Sequence, residues 1–165
     1  MIQNFSNIIA EQRKLDNEIM NKFEKNYEIT FKERKLALLV ELSELANEIR
    51  SFKYWSVKPR GSDERILDEY ADGLHFISGF AIQYSFNGIF QIKNKIPQTV
   101  NNSFLTKKML KLFKLSSKIN SKKHVIKFFK KYLEFGYFLG YSEKQIKDAY
   151  ENKHEVNIQR QNTNY

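Results

Sequence analysis

Residues 41–55, ELSELANEIRSFKYW, decide the fold and raise the functional question. The stretch reads as a helix. It sets Glu44 and Glu48 among Leu45, Ala46 and Ile49, then ends in a basic-aromatic cluster with the chain's only tryptophan, Trp55. Glu41, Glu44 and Glu48 stand at i, i+3 and i+7, so at about 100° per residue they fall within about 60° of one another. A second helical stretch, ERILDEYADGLHFISGFAIQY (64–84), repeats the arrangement with Glu69 and Asp72 at i and i+3 and Asp68 one position before. Two antiparallel helices joined by a short turn would bring Glu41 and Glu44 opposite Glu69 and Asp72. Four ionised carboxylates facing each other repel strongly. Divalent cations between them make the arrangement tolerable, and all-oxygen ligation selects hard ions, Mg²⁺ first and Mn²⁺ second. A single E-x-x-E is more often a surface pair matched by Lys or Arg. Two such motifs on adjacent helices, both embedded in apolar sequence, give the metal reading its weight.

The rest of the chain is written in the same helical period. Phe5, Ile8, Ile9, Leu15, Ile19 and Phe23 space out a first helix. Thr30-x-x-Glu33 has the form of a capping box opening a second, expected to run through Ser51 and Phe52 and to stop before Pro59-Arg60-Gly61. Ser62 or Asp63 caps the third. Residues 87–102, NGIFQIKNKIPQTVNN, are turn-rich and read as irregular. Further helices are expected over about 103–119, from Asn120-Ser121 to about 138, and after Gly140, where Ser142-x-x-Gln145 is another capping box. Strand signals are weak. The expectation is a single all-α domain over residues 1–165, a bundle of about five to six helices.

Composition narrows the classes. The 165 residues suit one domain, and the absence of cysteine excludes disulfides and thiolate metal sites. The start MIQNFSNIIAEQRK lacks a charged head followed by an apolar run, and no stretch is long and charge-free enough to span a bilayer. An intracellular, cytoplasmic protein without membrane association is expected. The net charge of +9 is unevenly spread. Residues 73–133 hold 12 lysines and no acid, whereas residues 1–72 hold 12 basic and 14 acidic side chains. Such a basic centre attracts nucleic acid, an acidic membrane or a phosphorylated ligand.

E-x-x-E followed about 24 residues later by E-x-x-D resembles the all-α nucleoside triphosphate pyrophosphohydrolases. Within them the chain resembles the dimeric dUTPases. LVELSELANEIRSFKYWS (39–56) and LDEYADGLHFISG (67–79) look like that family's two metal-binding motifs, including His-Phe after E-x-x-D. EQRKLDNEI (11–19) looks like its uracil-side motif, and YENKHEVNIQRQNTNY (150–165) like its C-terminal phosphate-and-base motif. Residues 86–140 are covered only loosely.

The resemblance implies roles. Glu41, Glu44, Glu69 and Asp72 would hold the metal ions, with Asp72 also meeting the deoxyribose 3′-OH and Glu44 serving as general base. Phe76 would pack on the sugar and exclude a 2′-OH, and His75 would be the pocket histidine. Gln12 would read uracil, since an amide offers both donor and acceptor. Trp55 would close the pocket, Lys53 would face the phosphates, and Lys153, Asn157 and Arg160 would close over the substrate. Mg²⁺-assisted hydrolysis of dUTP, with dUDP also a substrate, would give dUMP and pyrophosphate, and a homodimer is implied. The chain departs from the pattern at several positions. Asp16 replaces an asparagine of some relatives, so its base contact is open. His154 stands in place of Asn, and Asn164 in place of Gly. Val40 stands at the first acid of the superfamily's doubled E-E-x-x-E, which favours the dUTPase branch. Glu48 is either a further metal contact or an ion-pair partner. The alternatives are a dNTP pyrophosphohydrolase of another base preference such as dCTP, a nucleic-acid or membrane binder using the lysines of 107–131, and an interaction protein. No specific nucleic acid is expected, because two amphipathic helices with solvated lysine faces account for that region.

Overall fold

The computed structural model describes residues 2–92 and 97–163. A short strand, β1 (Ile2–Asn4), precedes α1 (Ser6–Lys22), α2 (Phe31–Ile49) and α3 (Asp63–Gln83). A second strand, β2 (Ile89–Gln91), then leads to α4 (Asn102–Ser116), α5 (Lys122–Phe138) and α6 (Glu143–Asn162). The all-α bundle is as expected, and α3 is its axis. Among its buried side chains are Ile66, Tyr70, Leu74, Ile77 and Phe80, and it packs on α1, α2, α5 and α6.

Tyrosine pairing ties α3 to α5. The Tyr70 hydroxyl donates to the Tyr132 carbonyl at 2.9 Å, and the Tyr132 hydroxyl donates to the Tyr70 carbonyl at 2.8 Å. The rings stack at 4.3 Å between centroids. Both hydroxyls are thereby satisfied in the core, where an unpaired one is costly. Gly73 and Gly136 make the room: a Cβ at Gly73 would lie 2.2 Å from the Tyr132 hydroxyl, and one at Gly136 would lie 2.8 Å from that of Tyr70.

Three local expectations are corrected. The stretch after Asn87 is not wholly irregular, because β2 pairs antiparallel with β1, Gln3 opposite Phe90. Each strand is three residues long with one buried side chain, too short to show alternation. Gly88, at φ +76°, turns the chain so that its carbonyl accepts from the Phe5 N–H at 3.0 Å. The Thr30 capping box is absent. Its hydroxyl donates instead to the Asn26 carbonyl at 2.6 Å and accepts from Arg34 Nε at 3.2 Å. Finally, α2 ends at Ile49, short of Ser51-Phe52, because Arg50 takes a left-handed backbone at φ 60°. The Arg50 guanidinium then holds the returning chain through Ser56 Oγ at 2.8 Å and the Lys58 carbonyl at 3.3 Å. Ser62 caps α3, and the Ser142–Gln145 capping box opens α6. Among the described residues, no helix is long and apolar enough to cross a membrane.

Candidate active site

The α2–α3 packing brings the acidic motifs together. One carboxylate oxygen from each of Glu41, Glu69 and Asp72 lies within 4.8 Å of the others. Glu44, exposed on α2, stands outside this group of three, yet its charge acts on both Glu41 and Glu69. Desolvation, then Asp72, Glu44 and Glu69, push Glu41 up to about 7. Desolvation, then Glu44, Asp72 and Asp68, do the same to Glu69. Burial also raises Asp72, against the pull of Lys153. The donor set is all oxygen and over-rich in negative charge, which fits a hard divalent cation.

Lys153 enters this cluster from α6. It is only 8 % exposed, and its Nζ lies 2.6 Å from Asp72 Oδ2 and 2.9 Å from Asp68 Oδ2. Burial alone would depress the ammonium, but the bonds to Asp72 and Asp68 raise it. Lys153 is therefore a tethered counter-charge. Glu48 is not part of the cluster: it accepts from Arg65 Nη2 at 2.6 Å, an ion-pair partner by geometry.

A cavity of about 280 Å³ runs from these carboxylates to the other chain elements. Glu41 and Asp72 line it together with Gln12, Asp16, His75 and Phe76, and α6 contributes Asn157 and Arg160. Gln12 is buried, 4 % exposed, and densely bonded. Asp16 accepts from its Nε2 at 2.7 Å, and its Oε1 lies 2.6 Å from His75 Nδ1 and accepts from the Tyr150 hydroxyl at 2.9 Å. An ionised Asp16 only accepts, so the amide must face it with nitrogen. His75 Nδ1 then carries the proton and donates to Oε1. Burial, followed by His154 and Lys153, holds His75 down to about 3, so the ring is neutral. The expectation that Gln12 offers a base both donor and acceptor is thus corrected: the acceptor is already engaged, and one Nε2–H remains. His75 orients Gln12 and stacks on Tyr150 at 4.3 Å, with His154 beyond at 5.6 Å from Tyr150.

Asp16 accepts from the Tyr27 hydroxyl at 2.8 Å as well as from Gln12. Burial raises its carboxyl above the usual range in spite of both bonds. Lys53 and Trp55 are not brought to this cavity. Lys53 lines a separate basic depression with Arg50, Lys58 and Arg60, and Trp55 is 65 % exposed against Tyr54 and Phe52. The position of Asn164 lies outside the described residues.

Tyr27, Arg34, Gly79 and Tyr150 belong to the site or its support and were not singled out from the sequence. Arg34 had a signal: it precedes Glu41 by seven residues, hence shares its helix face.

A family model described as dUTPase matches residues 4–165. No curated protein matches the chain.

Proposed function

The chain belongs to the dUTPase family, and from that premise we propose how it hydrolyses dUTP and dUDP. Glu41, Glu69 and Asp72, with Glu44 beside them, would hold Mg²⁺, with Mn²⁺ as a substitute. When bound, the metal neutralises phosphate charge and acidifies a bound water. The residues of the chain do the rest. Glu44, exposed and outside the three-carboxylate group, accepts the proton of the attacking water. Lys153 uses two of its three N–H donors on Asp68 and Asp72 and turns the third to a phosphate oxygen. Arg160 and Asn157 bind from the same helix. Phe76 covers the deoxyribose and leaves no room for a 2′-OH, while Gln12, held by His75, meets the base. Hydrolysis of this kind needs positioning and charge compensation more than covalent chemistry.

The observation that carries this reading is the single cavity joining Glu41 and Asp72 to Gln12, Phe76 and Arg160. We also propose a homodimer. Leu36, Val40, Phe52 and Leu110 stay exposed beside an apolar groove between α2 and α4, and a second copy of the chain would cover them. Lys53 and Trp55 lie away from the cavity and have no part in these contacts. The deciding experiment is turnover with and without Mg²⁺ on dUTP, dUDP, dCTP, dTTP and UTP, with mass in solution measured alongside. Preference for dUTP and dUDP and dependence on the metal are expected; equal turnover of dCTP would sink the base assignment.

A further inference from the structure

One wall of the cavity holds a group that none of these roles uses. Arg34 reaches in from α2 with its guanidinium fixed on nearly every side. Nε donates to Thr30 Oγ1 at 3.2 Å, and Nη2 donates to the Tyr27 carbonyl at 2.7 Å and to Gln83 Oε1 at 2.5 Å. The rings of Tyr27 and Phe80 lie 4.9 and 4.7 Å from it. Nη1 is the exception: it is buried and has no hydrogen-bond partner among the described residues. A guanidinium cannot shed that donor by deprotonating. Gly79 keeps the adjoining corner open. A Cβ there would lie 3.1 Å from Asp16 Oδ2 and 3.8 Å from Arg34 Nη1.

Asp16 therefore faces two ways. Oδ1 meets Gln12 Nε2, while Oδ2 points to Tyr27 and to the corner shared by Gly79 and Arg34. Each carboxylate oxygen has two acceptor positions, so neither is exhausted by its one bond. The order across the wall is donor, acceptor, donor: Arg34 Nη1, the Asp16 carboxylate, and the spare N–H of Gln12.

We propose that this row reads the edge of uracil, with Arg34 as a specificity-determining residue. Uracil presents O2, N3–H and O4, an acceptor, a donor and an acceptor. Cytosine turns the N3 lone pair to the carboxylate and its 4-amino group to a donor, two mismatches at once. Sites that leave buried polar groups unmatched discriminate strongly. Asp16, where some relatives have Asn, is then an acceptor for N3–H, and the donors that flank it come from α1 and α2. The proposal rests on reading the cavity as the site for a uracil nucleotide.

The test is calorimetric titration of the full chain with dUMP and with dCMP, for wild type, Arg34→Lys and Gly79→Ala. Arg34→Lys keeps the charge and removes Nη1. Gly79→Ala touches none of the hydrogen-bond partners of Arg34 and narrows the corner: its Cβ would lie 3.1 Å from Asp16 Oδ2, so Asp16 must give by a few tenths of an ångström, and the melting temperature is recorded alongside to show that the fold is kept. Both variants should lose about tenfold in dUMP affinity with little change for dCMP. A dUMP-to-dCMP ratio unchanged in Gly79→Ala overturns the proposal, whatever Arg34→Lys does, and leaves the uracil pocket standing. A wild type that binds dCMP as tightly as dUMP overturns the pocket and the proposal together.

Discussion

The α2–α3 and α4–α5 pairs are both amphipathic helices packed through an apolar seam, and they treat charge in opposite ways. On α2–α3 a group of acids, Glu41, Glu69 and Asp72, is half-buried and turned inward, and desolvation with the neighbouring carboxylates pushes Glu41 and Glu69 up to about 7. On α4–α5 the counterparts are lysines, mostly exposed. Of these, only Lys131 has a carboxylate partner among the described residues, in Glu134. Others are accommodated without counter-charge: Lys108 sits over the Phe104 and Phe138 rings, and Lys122 donates to the Ser85 carbonyl. A lysine in water needs no partner. A carboxylate taken half out of water beside three others does, and that need singles out α2–α3 as the candidate site.

Removing one acid tests the contrast most severely. Glu41→Gln should cut Mg²⁺-dependent turnover by about 10²-fold or more yet raise the melting temperature of the metal-free protein, since a repelled, desolvated charge is gone. Steady-state kinetics and thermal melts in EDTA read both; a variant that loses activity and stability together would make Glu41 an ordinary structural residue. Lys153→Met should do the opposite to stability. It strips the counter-charge from Asp72 and Asp68 and should cost about 1–3 kcal/mol, below the value for a fully buried pair because Asp68 is 55 % exposed. Denaturant titration measures it.

The next effect is a dependence on pH. Glu41 and Glu69 hold protons in the folded state that the unfolded chain, at about 4.5, has already released. Their contribution to stability is full below that lower value and is lost as pH rises through about 7. The metal-free melting temperature should therefore fall across the neutral range, and Mg²⁺ should flatten the fall. Melts in paired buffers check it; a metal-free profile that rises with pH would break the contrast. The smallest effect belongs to the other pair. Lys111→Glu with Lys127→Glu should shift stability by no more than about 0.5 kcal/mol and leave dUTP kinetics unchanged.

The same contrast explains what the sequence made legible. Six helices and four acids at i, i+3 spacing are readable because helical period and charge are properties of neighbours along the chain. The exchange between Tyr70 and Tyr132, 62 residues apart, is not, and neither is the fit of Gly79 against Asp16 and Arg34. Thr30 looked like a cap because its spacing to Glu33 is right, but Asn26 and Arg34 compete for its hydroxyl. The sequence offers Gln12 as a candidate to meet a base, while the engagement of its acceptor by His75 and Tyr150 depends on three helices meeting.

The tether from Lys153 to Asp72 has a consequence for the order of synthesis. Lys153 follows Asp72 by 81 residues. At about 5–20 residues per second, the acids of α2 and α3 precede their lysine by roughly 4–16 s. A nascent chain that folds α2 against α3 in that interval carries the acidic cluster with no side chain to balance it, and whatever cations the ribosome's surroundings supply are the first to do so.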